Sequence, residues 1–352
     1  MKREVIMEIV RDACRAPSGD NTQPWRFSVH QQVIRVINVP EKDTSLFNWR
    51  QITNHVALGA AIENLGVSAQ SKGFRADVQL FPDPSNNHVI AEVILTEDAS
   101  AHTDLAPYII RRASNRKRYL PRVIEREKLE QLEALAEGDP CRIVCISDTA
   151  RVHHLARIVS LGEKVALGNR AIHDFLFSHV TWSKEEDDKI HGFYIDTFEF
   201  TPVQKMAFKL FSNWHILKLF LSLGISNVIA RDAEKLHKTS AAFGAIIVPN
   251  REKEDFVKAG MLLERFWLTA TKLGLAFQPT TTVHYIGSRI LGGDPGDINE
   301  EHQQMLREGY AELADVFQVS DTEGFGLVFR LGYADPPSAV TTRTEPEIVF
   351  ED

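Results

Sequence analysis

At 352 residues the chain exceeds one typical domain, so it is expected to form two units or one large layered unit with a full hydrophobic core. Hydrophobic residues at 43% and charged residues at 25% are ordinary globular values, which argues against wholesale disorder, a fibrous repeat or a coiled coil. The formal net charge of −8 speaks against a nucleic-acid partner or an anionic membrane, both of which need a basic surface, so any basic cluster has to be local.

Residues 4–15 read as a short amphipathic helix whose charges run throughout, unlike the apolar core of a signal peptide. Two strands follow at 26–29 and 33–38, joined by the polar turn His30, Gln31, Gln32. A long apolar helix covers 59–74, and strands at 76–81 and 88–95 come next. A second short helix at 126–137 precedes a strand at 141–146 that carries Cys141 and Cys145. With Cys14 these make three cysteines, which cannot all pair; a reducing cytoplasm and core packing are the expectation, ahead of metal ligation.

The stretch 174–240 is rich in aromatic residues and has no counterpart earlier in the chain, which reads as an inserted helical lid. Its apolar run, 214–230, contains His215 and Lys218 and falls short of a bilayer span, so it is expected to be a helix packed on protein. A strand at 243–248, a long helix at 260–275 and a strand at 326–333 close the pattern. Strands interleaved with long helices imply a layered fold, α/β or α+β.

The two long helical segments read alike. Gly59 and Gly260, Glu63 and Glu264, Ala69 and Ala270, and Gly73 and Gly274 coincide at one offset of 201 positions (260 − 59). Each half also offers a short helix, a strand, the long helix and another strand, so the chain looks like a tandem repeat with half 1 at 1–105 and half 2 at 106–352.

Two stretches carry the chemistry. In residues 16–27 (APSGDNTQPWRF), Pro17, Gly19 and Pro24 stop a helix and force an ordered polar loop before a strand. On spacing alone such a loop only caps backbone groups. In residues 111–119 (RRASNRKRY), five of the eight residues from Arg111 to Arg118 are Lys or Arg, which on an acidic chain suits a local dianion such as a phosphomonoester. A solvated helix start is the plainer alternative. No P-loop, His-Glu-x-x-His or Gly-x-Ser-x-Gly pattern is present.

Both stretches resemble signatures of the FMN-dependent nitroreductase family. The first is similar to its Ala-Pro-Ser-x-x-Asn-x-Gln-Pro-Trp flavin loop, which makes Pro17, Ser18, Asn21 and Gln23 flavin-loop candidates. The second matches its Arg-x-Ser/Thr-x-Arg turn through Arg112, Ser114 and Arg116, and Asn115 completes the form found in the fused, Acg-like branch. The resemblance further implies contacts to the flavin from Gln278, Pro279 and Thr280, including a backbone N–H between Gln278 and Thr281, and a phosphate contact from Arg343, which is otherwise a solvent-exposed arginine.

In family members the two motifs occur in one subunit and the flavin is shared across a homodimer. Here half 1 keeps the loop and half 2 keeps the turn, while the loop's equivalent in half 2 shrinks to residues 136–140 (AEGDP). The resemblance therefore implies an α+β nitroreductase-like fold duplicated into a monomeric pseudo-dimer with one FMN site. It implies NAD(P)H as electron donor, a nitro or quinone-like small-molecule acceptor, and no nucleic-acid or membrane partner. No catalytic side chain is obligatory, although Arg116 is a candidate stabiliser of the reduced flavin. The alternative is a flavin-storage or sequestering protein whose insert covers the site without turnover.

Overall fold

In a computed structural model, which describes residues 2–351, the first half runs α1 (Arg3–Ala13), β1 (Trp25–His30), β2 (Val33–Asn38), α2 (Ile52–Ser71), β3 (Phe74–Leu80) and β4 (Val89–Glu97). After α3 (Ala106–Ile109) come α4 (Arg126–Glu133) and β5 (Arg142–Ile146). A long connection follows through α5 (Thr149–Gly168), α6 (Arg170–His179), β6 (Val180–Thr181), α7 (Lys184–Ile190), β7 (Phe193–Tyr194), α8 (Pro202–Phe211), α9 (Trp214–Ser222) and α10 (Ile225–His237). The chain then forms β8 (Ala242–Val248), α11 (Lys253–Lys272), β9 (Ala276–Pro279), α12 (Thr282–Leu291), α13 (Glu300–Phe317), β10 (Gly324–Gly332) and β11 (Ile348–Glu351).

Two sheets share one four-stranded antiparallel topology. The first has the order β1-β2-β4-β3 and the second β5-β8-β10-β9, so each pairs its strands in the same sequence of connections around one long helix. Those helices, α2 and α11, begin and end at positions that differ by the same 201 (253 − 52 and 272 − 71). Each is followed by a glycine in the left-handed region, Gly73 at φ +78 and Gly274 at φ +75, where a side chain would be strained. Both helices start earlier than the sequence pattern indicates because their first turns are not purely apolar: Thr53, Asn54 and His55 are buried in α2.

The helices cross at almost no distance. A Cβ built on Gly59 would lie 2.0 Å from the Val257 carbonyl oxygen, and one on Gly260 would lie 2.0 Å from the Val56 carbonyl oxygen. These contacts are reciprocal at the same offset, which is what a two-fold axis between the helices produces. Only glycine permits that approach.

The halves differ in what covers their sheets. Strand β2 alternates half-buried and buried residues and β3 alternates half-buried and exposed ones, with α1 and α2 on the covered face. Strands β8 and β10 are buried at every position, because α11 packs on one face and α5, α12 and α13 on the other. The extension without a counterpart therefore runs over 147–241 rather than 174–240. Its α5 belongs to the core, with Leu155, Ile158 and Val159 packed on β8, and α10 lies along α5. The run 214–230 is also two helices, broken at Gly224 with φ +83, and Leu219, Leu223 and Val228 on it are exposed rather than packed on protein. The tail crosses back to the first sheet, where β11 pairs parallel to β1 with Phe27 opposite Ile348, so half 2 contributes a strand to half 1.

Candidate functional site

The loop after α1 is held in a conformation that its sequence would not adopt unaided. Asp20, Asn21 and Gln23 have φ of +43, +62 and +50, the left-handed region that costs non-glycine residues energy. Several bonds sustain it. Ser18 Oγ accepts from the Gln23 N–H at 3.0 Å, and Gln23 Oε1 accepts from the Thr344 N–H at 3.0 Å and its hydroxyl at 3.1 Å. Asn21 Oδ1 accepts from Arg343 Nη1 at 2.6 Å, while Asn21 Nδ2 donates to the carbonyls of His191, Gly192 and Thr342.

The arginine turn reaches the same place from the other half. Arg112 donates to the Arg15 carbonyl, the Asn115 N–H donates to the Phe277 carbonyl at 2.8 Å, and Asn115 Nδ2 donates to the Asp335 carbonyl at 2.8 Å. Arg116 Nη1 donates to the Thr197 carbonyl at 3.2 Å, and its guanidinium lies 5.0 Å from the centre of the Phe193 ring.

Between loop and turn lies a cavity of about 260 Å³. Of the residues singled out in the sequence, Pro17, Ser18, Asn21, Arg112, Ser114, Arg116, Pro279 and Arg343 line it. Four do not. Gln23 and Asn115 brace the loop and the turn from behind, Gln278 Oε1 accepts from Arg330 Nε at 2.7 Å, and the Thr280 N–H donates to the Val328 carbonyl at 2.9 Å. Because Pro279 has no N–H and Thr280 spends its own on β10, Thr281 is the one residue of 278–281 that both lines the cavity and keeps an amide outside that strand pairing.

Arg343 is not a solvent-exposed arginine. Burial, and then repulsion from Arg112 and Arg15, pushes its guanidinium down to about 9. Its Nε has no partner, nor does Arg112 Nε. The one acid in this cluster is Glu264, fully buried on α11, whose Oε1 lies 3.0 Å from Arg112 Nε at ion-pair distance but without hydrogen-bond alignment. Burial raises Glu264 to about 7, against the attraction of Arg112. Arg112 and Arg343 therefore share one carboxyl whose burial favours its protonated form, with the exposed Arg15 beside Arg343, a charge excess that fits a dianion.

The rest of the lining is different in character. Trp267, Tyr285, Leu263 and Ile109 supply flat apolar walls, while Asp20 and Asp43 form an acidic edge. Asp20 rises to about 6 through burial and then the nearby Asp43 charge. Phe193 and Thr197, from the long connection, complete the wall beside Arg116. The sequence reading missed Arg15, Asp20, Asp43 and Trp267. Arg15 was within reach, since it directly precedes the Pro-Ser loop; Asp43 and Trp267 carry no local signal. The residues 136–140 form a turn at Gly138 (φ +78) and do not line the cavity. Among the described residues no cluster of His, Cys, Asp and Glu is arranged to hold a metal, and all three cysteines are free.

The fold and site thus define an α+β protein with two main sheets and an arginine-rich cavity between two similar halves. No family model matches the chain. It is 20% identical over 338 residues to an uncharacterized protein of Mycobacterium tuberculosis, covering 95% of this chain and 46% of that one. It is 27% identical over 179 residues to a protein of the same species that bears the provisional name NAD(P)H nitroreductase acg, covering 49% of this chain and 53% of that one. The chain spans about half the length of these two relatives. A nitroreductase crystal structure with bound FMN from Bacteroides fragilis aligns over 69% of this chain and 95% of its own, at 12% identity and a TM-score of 0.36. By sequence, the chain is a relative of the nitroreductase family.

Proposed function

We propose that this chain binds one FMN between its two halves and acts as an NAD(P)H-dependent oxidoreductase toward a nitro or quinone-like acceptor. The observation that carries this reading is the meeting of the Pro-Ser loop of one half and the arginine turn of the other on a single cavity. The residues fit the group. Arg15, Arg112 and Arg343, with unpartnered Nε atoms on two of them, would take the phosphate, and Trp267 and Tyr285 would flank the ring system. When bound, FMN supplies the hydride chemistry. This chain's residues would hold and orient it: Arg116 would balance negative charge on the ring, and the buried walls would exclude water. The Thr281 amide is a donor available to the ring edge.

In this reading the chain is a pseudo-dimer in one polypeptide, and the shared sheet topology with the reciprocal glycine contacts at offset 201 supports it. The cavity volume of about 260 Å³ lies below the roughly 300–1,000 Å³ of typical ligand sites. Room for FMN and a second molecule together would need a wall such as Phe193 and Thr197 to shift, and a wall that stays shut is the rival storage reading. One experiment separates them. Purified protein is expected to carry close to one FMN per chain, and anaerobic NADH or NADPH is expected to bleach it within the time of mixing. A yellow protein that stays oxidised favours storage, and a colourless one that takes up no FMN overturns both.

A further inference from the structure

The long connection carries an apolar surface that nothing in the fold covers. Among the described residues, fourteen large hydrophobic side chains are exposed, and six of them fall within residues 203–228. On α8, Val203 and Met206 are each 70% exposed, and with Leu210 they follow the three-and-four spacing of one helix face. Leu219 on α9 and Leu223 at its end, 63% and 75% exposed, repeat the arrangement one turn apart. The aromatic side chains of the same segment turn inward instead, where Phe177 and Phe208 pack with ring centres 4.7 Å apart. The segment is thus held by an aromatic interior and presents aliphatic residues outward.

Its charge is opposite to that of the molecule. Residues 200–231 contain Lys205, Lys209, Lys218 and Arg231 and no Asp or Glu, so they carry +4 and leave −12 for the remainder (−8 − 4). Lys205 is paired with Asp196 at 2.6 Å, whereas Lys209 and Lys218 are exposed between the aliphatic residues. Exposed aliphatic side chains accompanied by two exposed lysines, Lys209 (5.8 Å from the Trp182 ring centre) and Lys218, on helices too short to cross a bilayer match an interfacial membrane-binding surface. A second copy of the chain fits less well, because a two-fold contact through this segment would bring two +4 surfaces together.

We infer that α8 and α9 dock this protein on an anionic lipid surface, with Val203, Met206, Leu210, Leu219 and Leu223 entering the headgroup boundary and Lys209 and Lys218 meeting lipid phosphates. The chain-wide charge argues against such a surface, and the local reversal of charge provides it. No membrane span is involved: among the described residues no helix is long and apolar enough to cross a bilayer.

The test is co-sedimentation of the full chain with two kinds of vesicle, phosphatidylcholine alone and phosphatidylcholine with roughly a quarter phosphatidylglycerol. Binding is expected on the anionic vesicles and only weakly on the neutral ones. Lys209→Glu with Lys218→Glu is expected to weaken it by about tenfold or more, from about 1 kcal/mol of attraction per lysine, and Leu219→Ser with Leu223→Ser to abolish it. All four positions are exposed, so the variants keep the fold, which circular dichroism checks. Absence of binding to anionic vesicles, equal binding to both kinds, or binding untouched by either variant overturns the inference. So does concentration-dependent dimerisation of the parent, lost in the Leu219→Ser, Leu223→Ser variant, without vesicle binding.

Discussion

The two ends of the α2–α11 helix pair occupy corresponding positions and do different things. At one end Glu63 is gripped by Arg265, with Nε to Oε1 and Nη2 to Oε2 both at 2.8 Å, a bidentate pair that uses every donor aimed inward. At the other end the counterpart of Glu63 is Glu264, and the counterpart of Arg265 is Asn64, an uncharged amide beside Glu264 that cannot neutralise it. Arg112, brought in by the arginine turn, takes the place that a partner on the facing helix holds at the first end. The cavity walls diverge in the same way. Thr53, Ala57 and Trp267 line the cavity, and 201 positions away stand Glu254, Lys258 and Gly66, with Lys258 Nζ 2.8 Å from Glu254 Oε1. One end satisfies its own charges, while the other leaves cationic groups short of partners, as a ligand site requires.

The largest expected effect tests whether the helices are related by a two-fold at all. Gly59→Ala and Gly260→Ala each drive a Cβ to 2.0 Å from a backbone carbonyl oxygen, so one helix has to move. Each variant is expected to lose about 3 kcal/mol in urea unfolding, as overpacked cores do. Near-equal losses support the symmetric crossing. A variant that unfolds like the parent removes the crossing as a constraint.

Next in size is the pH dependence contributed by Glu264. Its folded value of about 7 lies above the ordinary carboxyl value of 4.5, so the folded state keeps the proton longer than the unfolded state. The stabilising contribution is fully present below about pH 4.5 and is lost as pH rises through about 7. The flavin-free protein is therefore expected to lose stability between pH 5 and 8, by on the order of 3 kcal/mol from this group. Glu264→Gln is expected to flatten that slope relative to the parent in thermal melts. If the two slopes coincide, Glu264 is ionised in the fold and the arginine cluster carries less excess charge than argued above.

How much of this was legible in the sequence depends on whether the cause was local. The Pro-Ser loop and the arginine turn were visible because a backbone break and a charge cluster are local facts, and the helix ends at Gly73 and Gly274 were visible because C′ glycines are. The sheet topology shared by the halves was visible only as a repeat of element types. The extent of the long connection was not, since α5 is an ordinary amphipathic helix until its packing on β8 is known. Nor was the satisfaction of the Thr280 N–H by Val328, a contact made across 48 positions. Arg15 was within reach beside the Pro-Ser loop, but a basic residue just past the end of a helix also has a sufficient local reason to be there.

The smallest effects divide the two ends most directly. Arg112→Ala and Arg116→Ala each remove a charge-assisted contact at the open end, and flavin affinity is expected to fall by roughly 1.5 to 3 kcal/mol apiece. Arg265→Ala removes the bidentate partner of Glu63 at the closed end, where the arginine is 35% exposed, so water screens much of the loss. Stability there should fall by about 1 kcal/mol or less. Flavin content should stay near one per chain, because that end has neither an arginine turn nor a Pro-Ser loop to hold a second phosphate. Equilibrium dialysis of FMN against the three variants reads all of this at once. If Arg265→Ala lowers flavin affinity as much as Arg112→Ala does, the ends are coupled and the division of labour between them fails. If only Arg112→Ala and Arg116→Ala lose flavin, the closed end serves to lock the helices in register, and the open end binds because its charges were left without partners.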